Sequence, residues 1–213
     1  MQSSFKYAIF DNDGTLLDSM KYWRLGTLEY IMANNMALPE EMTIRELLTS
    51  SSRESTTRLA EQRGLTFEEI LPELEERMDR HYLHDVHPKP GCLEFLEALK
   101  ADGAKLCVAT AARGEPCRRA LEKLDMLKYF DFVTDSYEIG VYKSKPEFFQ
   151  AVAERMGTTP ENCWVFEDAV YAMRGAKLAG AKVCAIEDYT ALRNREEIMK
   201  IADRYVKDYR ELM

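Results

Sequence analysis

The chain has 213 residues, 46% of them hydrophobic and 31% charged, and carries a formal net charge of −8. Such a chain builds its own core without disulfide staples, and has room for one large domain or a core domain with a smaller insert. The acidic balance excludes binding through phosphate neutralisation, so no nucleic-acid partner is expected. No stretch approaches the roughly 20 apolar residues of a membrane span, so no membrane partner is expected either.

The first ten residues, MQSSFKYAIF, lack a long apolar run and a cleavage site, so no signal peptide is expected. The five cysteines, Cys92, Cys107, Cys117, Cys163 and Cys184, are odd in number and contain no CxxC. Buried, reduced thiols in a cytoplasmic protein are the simplest reading.

The first predicted strand is YAIF, Tyr7 to Phe10, short and continuously apolar as buried parallel strands are. A region without convincing strands follows. Helices are predicted there at about Ser19–Asn35, Thr43–Leu48, Arg53–Arg63 and Phe67–Leu83. Capping boxes are expected at Thr43 with Glu46 and at Thr66 with Glu69, and Gly64 fits a helix C-terminus. Pro72 implies a kink or a later start in the fourth helix.

After HPKPG the pattern becomes alternating. Helix Gly91–Ala101 leads to strand KLCVAT, and a helix near Pro116–Leu124 leads to FDFVT. Helix Pro146–Met156 leads to CWVF, helix Ala169–Ala179 to KVCAI, and a last helix near Ala191–Ile201 to RYV. Strands alternating with helices imply an α/β fold with a mostly parallel, three-layer, Rossmann-like sheet and right-handed crossovers. The expected organisation is a core from residues 1–17 and 88–213, interrupted by a four-helix domain at 18–87.

Sites in such sheets form outside the carboxyl ends of strands. Four strand ends carry chemistry here. The first ends at Asp11, Asn12 and Asp13, KLCVA ends at Thr110, and WVF ends at Glu167 and Asp168. Lys143 and Lys145 follow FDFVT. Asp11, Asp13, Glu167 and Asp168 would repel one another unless a cation intervenes, and an all-oxygen cluster suits Mg²⁺. A lysine and a threonine would then serve as donors to phosphate oxygens. Gly14 and Thr15 supply a turn whose backbone N–H groups can approach an anion. An EF-hand reading of DNDG fails, because its register puts Ile9 at the first ligand position.

These motifs resemble the haloacid dehalogenase superfamily, in its branch with a helical cap that includes β-phosphoglucomutase and phosphoglycolate phosphatase. DNDGTLLDS is similar to the family's first motif in every fixed position, and VAT with Thr110 to its second. KSKPEFF is similar to the third, in a register that selects Lys143 over Lys145. VFEDAVYAMRGAKLAGA resembles the fourth, where an acidic pair opens a helix. The resemblance covers nearly the whole chain.

The resemblance implies Asp11 as nucleophile, through an aspartyl-phosphate, and Asp13 as general acid and then base. It implies Mg²⁺ held by Asp11, the Asp13 carbonyl and Asp168, with Glu167 acting directly or through water. Thr110 and Lys143 would hold the phosphoryl group. Arg53, in the TSSSRES loop, and Arg113, after VATAA, are candidates for contacting the rest of the substrate. Ala169 and Ala172 depart from the Ser and Gly that the family often has. Trp23 stands where a mutase relative carries a histidine, which favours a hydrolase, and Asp13 argues against a dehalogenase. The expected activity is hydrolysis of a small phosphomonoester, a sugar phosphate or similar metabolite, by a monomer or weak homodimer. A hexose-phosphate mutase and a non-catalytic phosphate-binding protein are the alternatives. His81, His84 and His87 are read as linker residues rather than a second metal site.

Overall fold

A computed structural model describes residues 5–38, 42–44 and 52–213, with residues 52–54 described by backbone only. The chain divides into two compact units, one from Met1–Asp18 and His87–Met213, the other from Ser19–Val86.

The first unit contains six strands, all parallel: β1 (Tyr7–Phe10), β2 (Lys105–Thr110), β3 (Phe132–Asp135), β4 (Cys163–Glu167), β5 (Lys182–Ile186) and β6 (Arg204–Val206). Their order is β3-β2-β1-β4-β5-β6, so the α/β Rossmann-like reading holds. The chain builds outward from β1 on one side and then restarts beside it with β4. That reversal opens a crevice at the carboxyl ends of β1 and β4. The register pairs Phe10 with both Val108 and Phe166, which brings the residues after β1 and those ending β4 level.

Both faces of the sheet are covered. Alternate residues Ile9, Cys107, Ala109, Val165, Val183 and Ala185 point to one face. There they pack with α7 (Pro146–Arg155), α8 (Val170–Leu178) and Ile198 of α9 (Arg195–Ile201). On the other face Phe10 stacks on Phe166 at 4.4 Å between ring centroids, and both meet Phe95 of α4 (Cys92–Ala101) edge-on or tilted. Tyr209 lies against Phe95 and Phe166, and its hydroxyl donates to the Thr15 carbonyl. This aromatic layer seats the turn that follows β1. All five cysteines are buried and free.

Several elements differ from the sequence pattern. Strand β3 starts two residues later than FDFVT suggested. Asp131 instead brackets Leu106, its N–H donating to that carbonyl and its carboxylate accepting from that N–H. The next helix, α5 (Gly114–Lys123), begins earlier than Pro116, because proline is tolerated in a first turn where its missing N–H is not needed. A four-residue helix, α6 (Ser136–Ile139), is too short to show periodicity, and Asp135 caps it by accepting from Tyr137 and Glu138. Residues 189–194 form a 3₁₀ helix, and only Arg195–Ile201 is α-helical.

The second unit is helical in its described residues: α1 (Met20–Ala33), α2 (Ser52–Gln62) and α3 (Phe67–His84). The expected helix Thr43–Leu48, with its Glu46 cap partner, lies outside the described residues from position 45 onward. Tyr30, Ala60, Ile70 and Leu74 form one apolar cluster, and Ile31, Met42 and Leu59 another. The Thr66 capping box is complete: its hydroxyl accepts from Glu69 N–H, and its own N–H donates to the Glu69 carboxylate at 2.7 Å. That closed box starts α3 at Phe67, so Pro72 does not delay the helix but lies within it. His81 bonds Asp85 at 2.7 Å and stacks on Tyr22. Among the described residues the three histidines do not converge on a metal site.

Thr66→Ala removes the reciprocal cap and should cost about 1 kcal/mol, which lowers the melting temperature by roughly 2–4 °C for a chain of this size. Thermal unfolding followed by circular dichroism measures it, and the Glu69→Ala variant should show a loss of similar size.

Candidate active site

The site grows from two adjacent strand tips. Asp11 is the first residue beyond β1, and its N–H donates to the Phe166 carbonyl at 3.0 Å, extending the ladder by one bond. Glu167 ends β4 and Asp168 follows it. All three carboxylates are buried, at 6%, 1% and 4% exposure, and an oxygen from each lies within 4.8 Å of the others.

Lys143 enters this cluster from the loop after α6. It is 2% exposed, and its Nζ donates to Asp11 Oδ1 at 2.6 Å and to Glu167 Oε2 at 2.8 Å. Lys145, two residues on, is exposed at the N-cap of α7. Burial works against the charge on Lys143, but Asp11 and Glu167 outweigh it and hold the ammonium protonated well beyond the usual lysine range.

One ammonium faces three buried acids. Burial is the largest effect raising the Asp11 pKa, with Lys143 opposing and Asp13 adding to it. Glu167 is pushed up to about 8, first by burial and then by Asp11. Asp168 rises well above the carboxylate range through burial, Glu167, Asp11 and Asp188. No described cation forms an ion pair with Asp168. An all-oxygen carboxylate cluster with one bonded ammonium for three acids fits a hard divalent cation.

Thr110 closes β2 at the same edge, 1% exposed, with its Oγ1 accepting from the Ala112 N–H at 3.1 Å. That bond uses a lone pair and leaves the hydroxyl proton for another acceptor. Asp13 is half-buried, and its carboxylate accepts from Asn12 Nδ2 at 3.2 Å. Its carboxylate stands apart from the group of three. Gly14 has φ +82°, which only glycine adopts cheaply, but its N–H donates to the Leu17 carbonyl at 2.9 Å. The amide is therefore consumed in shaping the turn, and the anion contact expected of it is not available from that N–H. Arg113 is exposed, with its guanidinium 5.2 Å from the Tyr137 ring centroid. The Arg53 side chain lies outside the described residues.

Two features escaped the sequence reading. Lys89, within HPKPG, is buried and donates to Asp188 Oδ2 at 2.7 Å and to the Glu187 carbonyl at 3.1 Å. Asp188 in turn raises the Asp168 pKa and Lys89 lowers it. Asp188 follows β5, so the strand-tip rule that selected Asp11 and Asp168 points to it as well. The second feature is Gly175, in the middle of α8, against the loop that carries Lys143.

A family model described as "Haloacid dehalogenase-like hydrolase" matches residues 8–186. Among similar curated proteins, a phosphorylated carbohydrates phosphatase of Thermotoga maritima is 28% identical over 174 residues, covering 81% of this chain and 80% of that protein. A fructose-1-phosphate phosphatase of Escherichia coli is 29% identical over 190 residues, covering 84% and 95%. The solved structure of CbbY from Rhodobacter sphaeroides, in complex with xylulose-(1,5)-bisphosphate, shares the fold with a TM-score of 0.80. It is 22% identical and covers 97% of this chain and 96% of that one. Among the described residues no helix is long and apolar enough to cross a membrane.

The raised carboxylate at Glu167 gives the metal-free protein a signed pH dependence. Its folded pKa, about 8, exceeds its ordinary 4.5, so the folded state holds the extra proton between those values. Stability from this group is complete below about pH 4.5 and lost as pH rises toward 8. Lys143 stays protonated throughout and does not reverse the trend. Metal-free protein should therefore melt lower at pH 8 than at pH 5.5. Added Mg²⁺ should raise the melting temperature by at least about 3 °C more at pH 8 than at pH 5.5. Differential scanning fluorimetry at the two pH values, with and without EDTA, measures this.

Proposed function

This chain belongs to the haloacid dehalogenase-like hydrolase family, and from that premise we propose that it is a Mg²⁺-dependent phosphatase acting on a small phosphorylated carbohydrate. The observation that carries the reading is Lys143 set between Asp11 and Glu167, beside Asp168, at the tips of β1 and β4. The names of the two phosphatase relatives support the substrate class.

In this reading a carboxylate oxygen of Asp11 attacks the phosphorus of the ester. The P–O bond to the alcohol breaks as Asp13 gives its proton to the leaving oxygen. Asp11 then carries the phosphoryl group as a mixed anhydride. Asp13, now a carboxylate, takes a proton from water whose oxygen attacks the same phosphorus. The bond to Asp11 breaks, inorganic phosphate forms, and both aspartates return to their starting states. Lys143 holds Asp11 in place and meets the negative charge of the non-bridging oxygens. Thr110 donates its free hydroxyl proton to one of them.

Asp11, Asp168, the Asp13 carbonyl and Glu167, directly or through water, would hold Mg²⁺, which when bound neutralises the charge that phosphate and carboxylates bring together. The inserted helical domain, residues 18–87, is assigned the choice among phosphomonoesters, with Arg53 and Arg113 as candidate contacts to the substrate's distal part. Gly14 shapes the turn that presents Asp13.

A screen of phosphorylated metabolites, sugar phosphates foremost, should show Mg²⁺-dependent release of inorganic phosphate. Asp11→Asn should lower turnover at least about 10³-fold, and Asp13→Asn about 10²–10⁴-fold. An Asp11→Asn protein that hydrolyses its best substrate at the wild-type rate would end this mechanism. Isomerised product without phosphate release would identify a mutase instead.

A further inference from the structure

Gly175 sits in the interior of α8, where glycine is disfavoured relative to alanine and no positive φ requires it. Its reason lies across the helix surface. A Cβ built on Gly175 would fall 2.2 Å from the Lys143 carbonyl oxygen, 3.0 Å from the Ser144 carbonyl carbon and 3.2 Å from that of Lys143. All three are backbone atoms, which cannot swing aside as a side chain does. The turn that holds them is itself closed, since Lys145 N–H donates to the Tyr142 carbonyl at 2.9 Å, and Pro146 then opens α7. Lys143 thus reaches Asp11 and Glu167 from a loop pressed directly onto α8. That helix begins two residues after Asp168.

We propose that Gly175 is a positioning residue for Lys143: by lacking a Cβ it lets the Tyr142–Lys145 turn lie against α8 at the depth from which the ammonium spans Asp11 and Glu167. Any side chain at 175 pushes the turn outward by an ångström or more, on the order of the shortfall from ordinary contact, and withdraws Nζ from bonds of 2.6 and 2.8 Å. The inference rests on the phosphatase reading for its kinetic consequence, but its geometric content stands apart from it.

The experiment pairs Gly175→Ala with Lys143→Ala and the double variant, each checked for folding by circular dichroism. The first readout is activity-independent. Reductive methylation with mass spectrometry should leave Lys143 unmodified in the wild type while labelling exposed Lys145, and should label both in Gly175→Ala. The second is a kinetic cycle. Gly175→Ala should lower kcat about 100-fold, as an ångström of misplacement can, with KM altered far less. In the Lys143→Ala background the same substitution should change kcat by less than about threefold, because the group it positions is gone. Should Gly175→Ala fail to fold, it is remade with Ser144→Gly, whose freer backbone lets the turn shift, and the labelling is read there. Protection of Lys143 unchanged in the Gly175→Ala protein, or kinetic losses that simply add, would overturn the proposal. A wild-type protein without phosphatase activity would instead sink the functional reading and leave the labelling to decide this one.

Discussion

Three carboxylates buried against a single ammonium are the constraint on which the rest of this structure turns. Asp11, Glu167 and Asp168 could not be withdrawn from water together on packing grounds, since each buried charge costs several kcal/mol unless paired. Lys143 compensates two of them and leaves Asp168 to the more distant Lys89. Burial and mutual repulsion instead push all three toward their protonated forms, and the oxygens so gathered could hold a cation. Removing Lys143 alone would leave the acids worse off than removing all of them, which is why a lysine tethered by a closed turn serves here better than a solvated one.

The fold produces that crowding by a simple route. A parallel sheet places every strand's carboxyl end on one edge, and the reversal of strand order beside β1 separates the loops there enough to leave a crevice. The aromatic layer of Phe10, Phe95, Phe166 and Tyr209 fixes the β1 and β4 tips from below. Tyr209, from the far end of the chain, bonds the carbonyl of Thr15 in the turn that carries Asp13. The core therefore acts as a jig, and the charged groups are held by strand ends and one short turn rather than by long mobile loops.

How much of this could be read from residues alone follows from the range of the interactions involved. Asp11, Thr110 and the Glu167–Asp168 pair were legible because each directly ends a run of apolar residues, and a strand's end is local information. β1, β2, β5 and β6 were legible to the residue for the same reason. The choice of Lys143 over Lys145 rested on resemblance, because the two differ only in which one the turn aims inward. Asp188 obeyed the strand-tip rule and was overlooked, while its partner Lys89 looked like linker because their contact spans 99 positions. The helix α6 went unread, because four residues show no period. Gly14 was read for an amide that the turn itself consumes, a pairing set by Leu17 three residues on.

The start of α8 shows how far Glu167 is already engaged by the protein. Ala169 is the N-cap of α8 and offers no side-chain acceptor, where a serine would satisfy one of the helix's first N–H groups. Glu167 does not replace that acceptor; it meets the N-cap residue's own N–H instead. Its Oε1 accepts from the Ala169 N–H at 3.3 Å while Oε2 accepts from Lys143. The carboxylate thus lies at the positive end of a helix dipole, which stabilises its charged form against the burial that would neutralise it. With both oxygens engaged by protein donors, Glu167 acts as a brace that fixes Lys143 relative to α8. Asp168 has no ion pair among the described residues, and Lys143 leaves one oxygen of Asp11 uncontacted. The three acids thus differ in how far the protein's own donors already satisfy them.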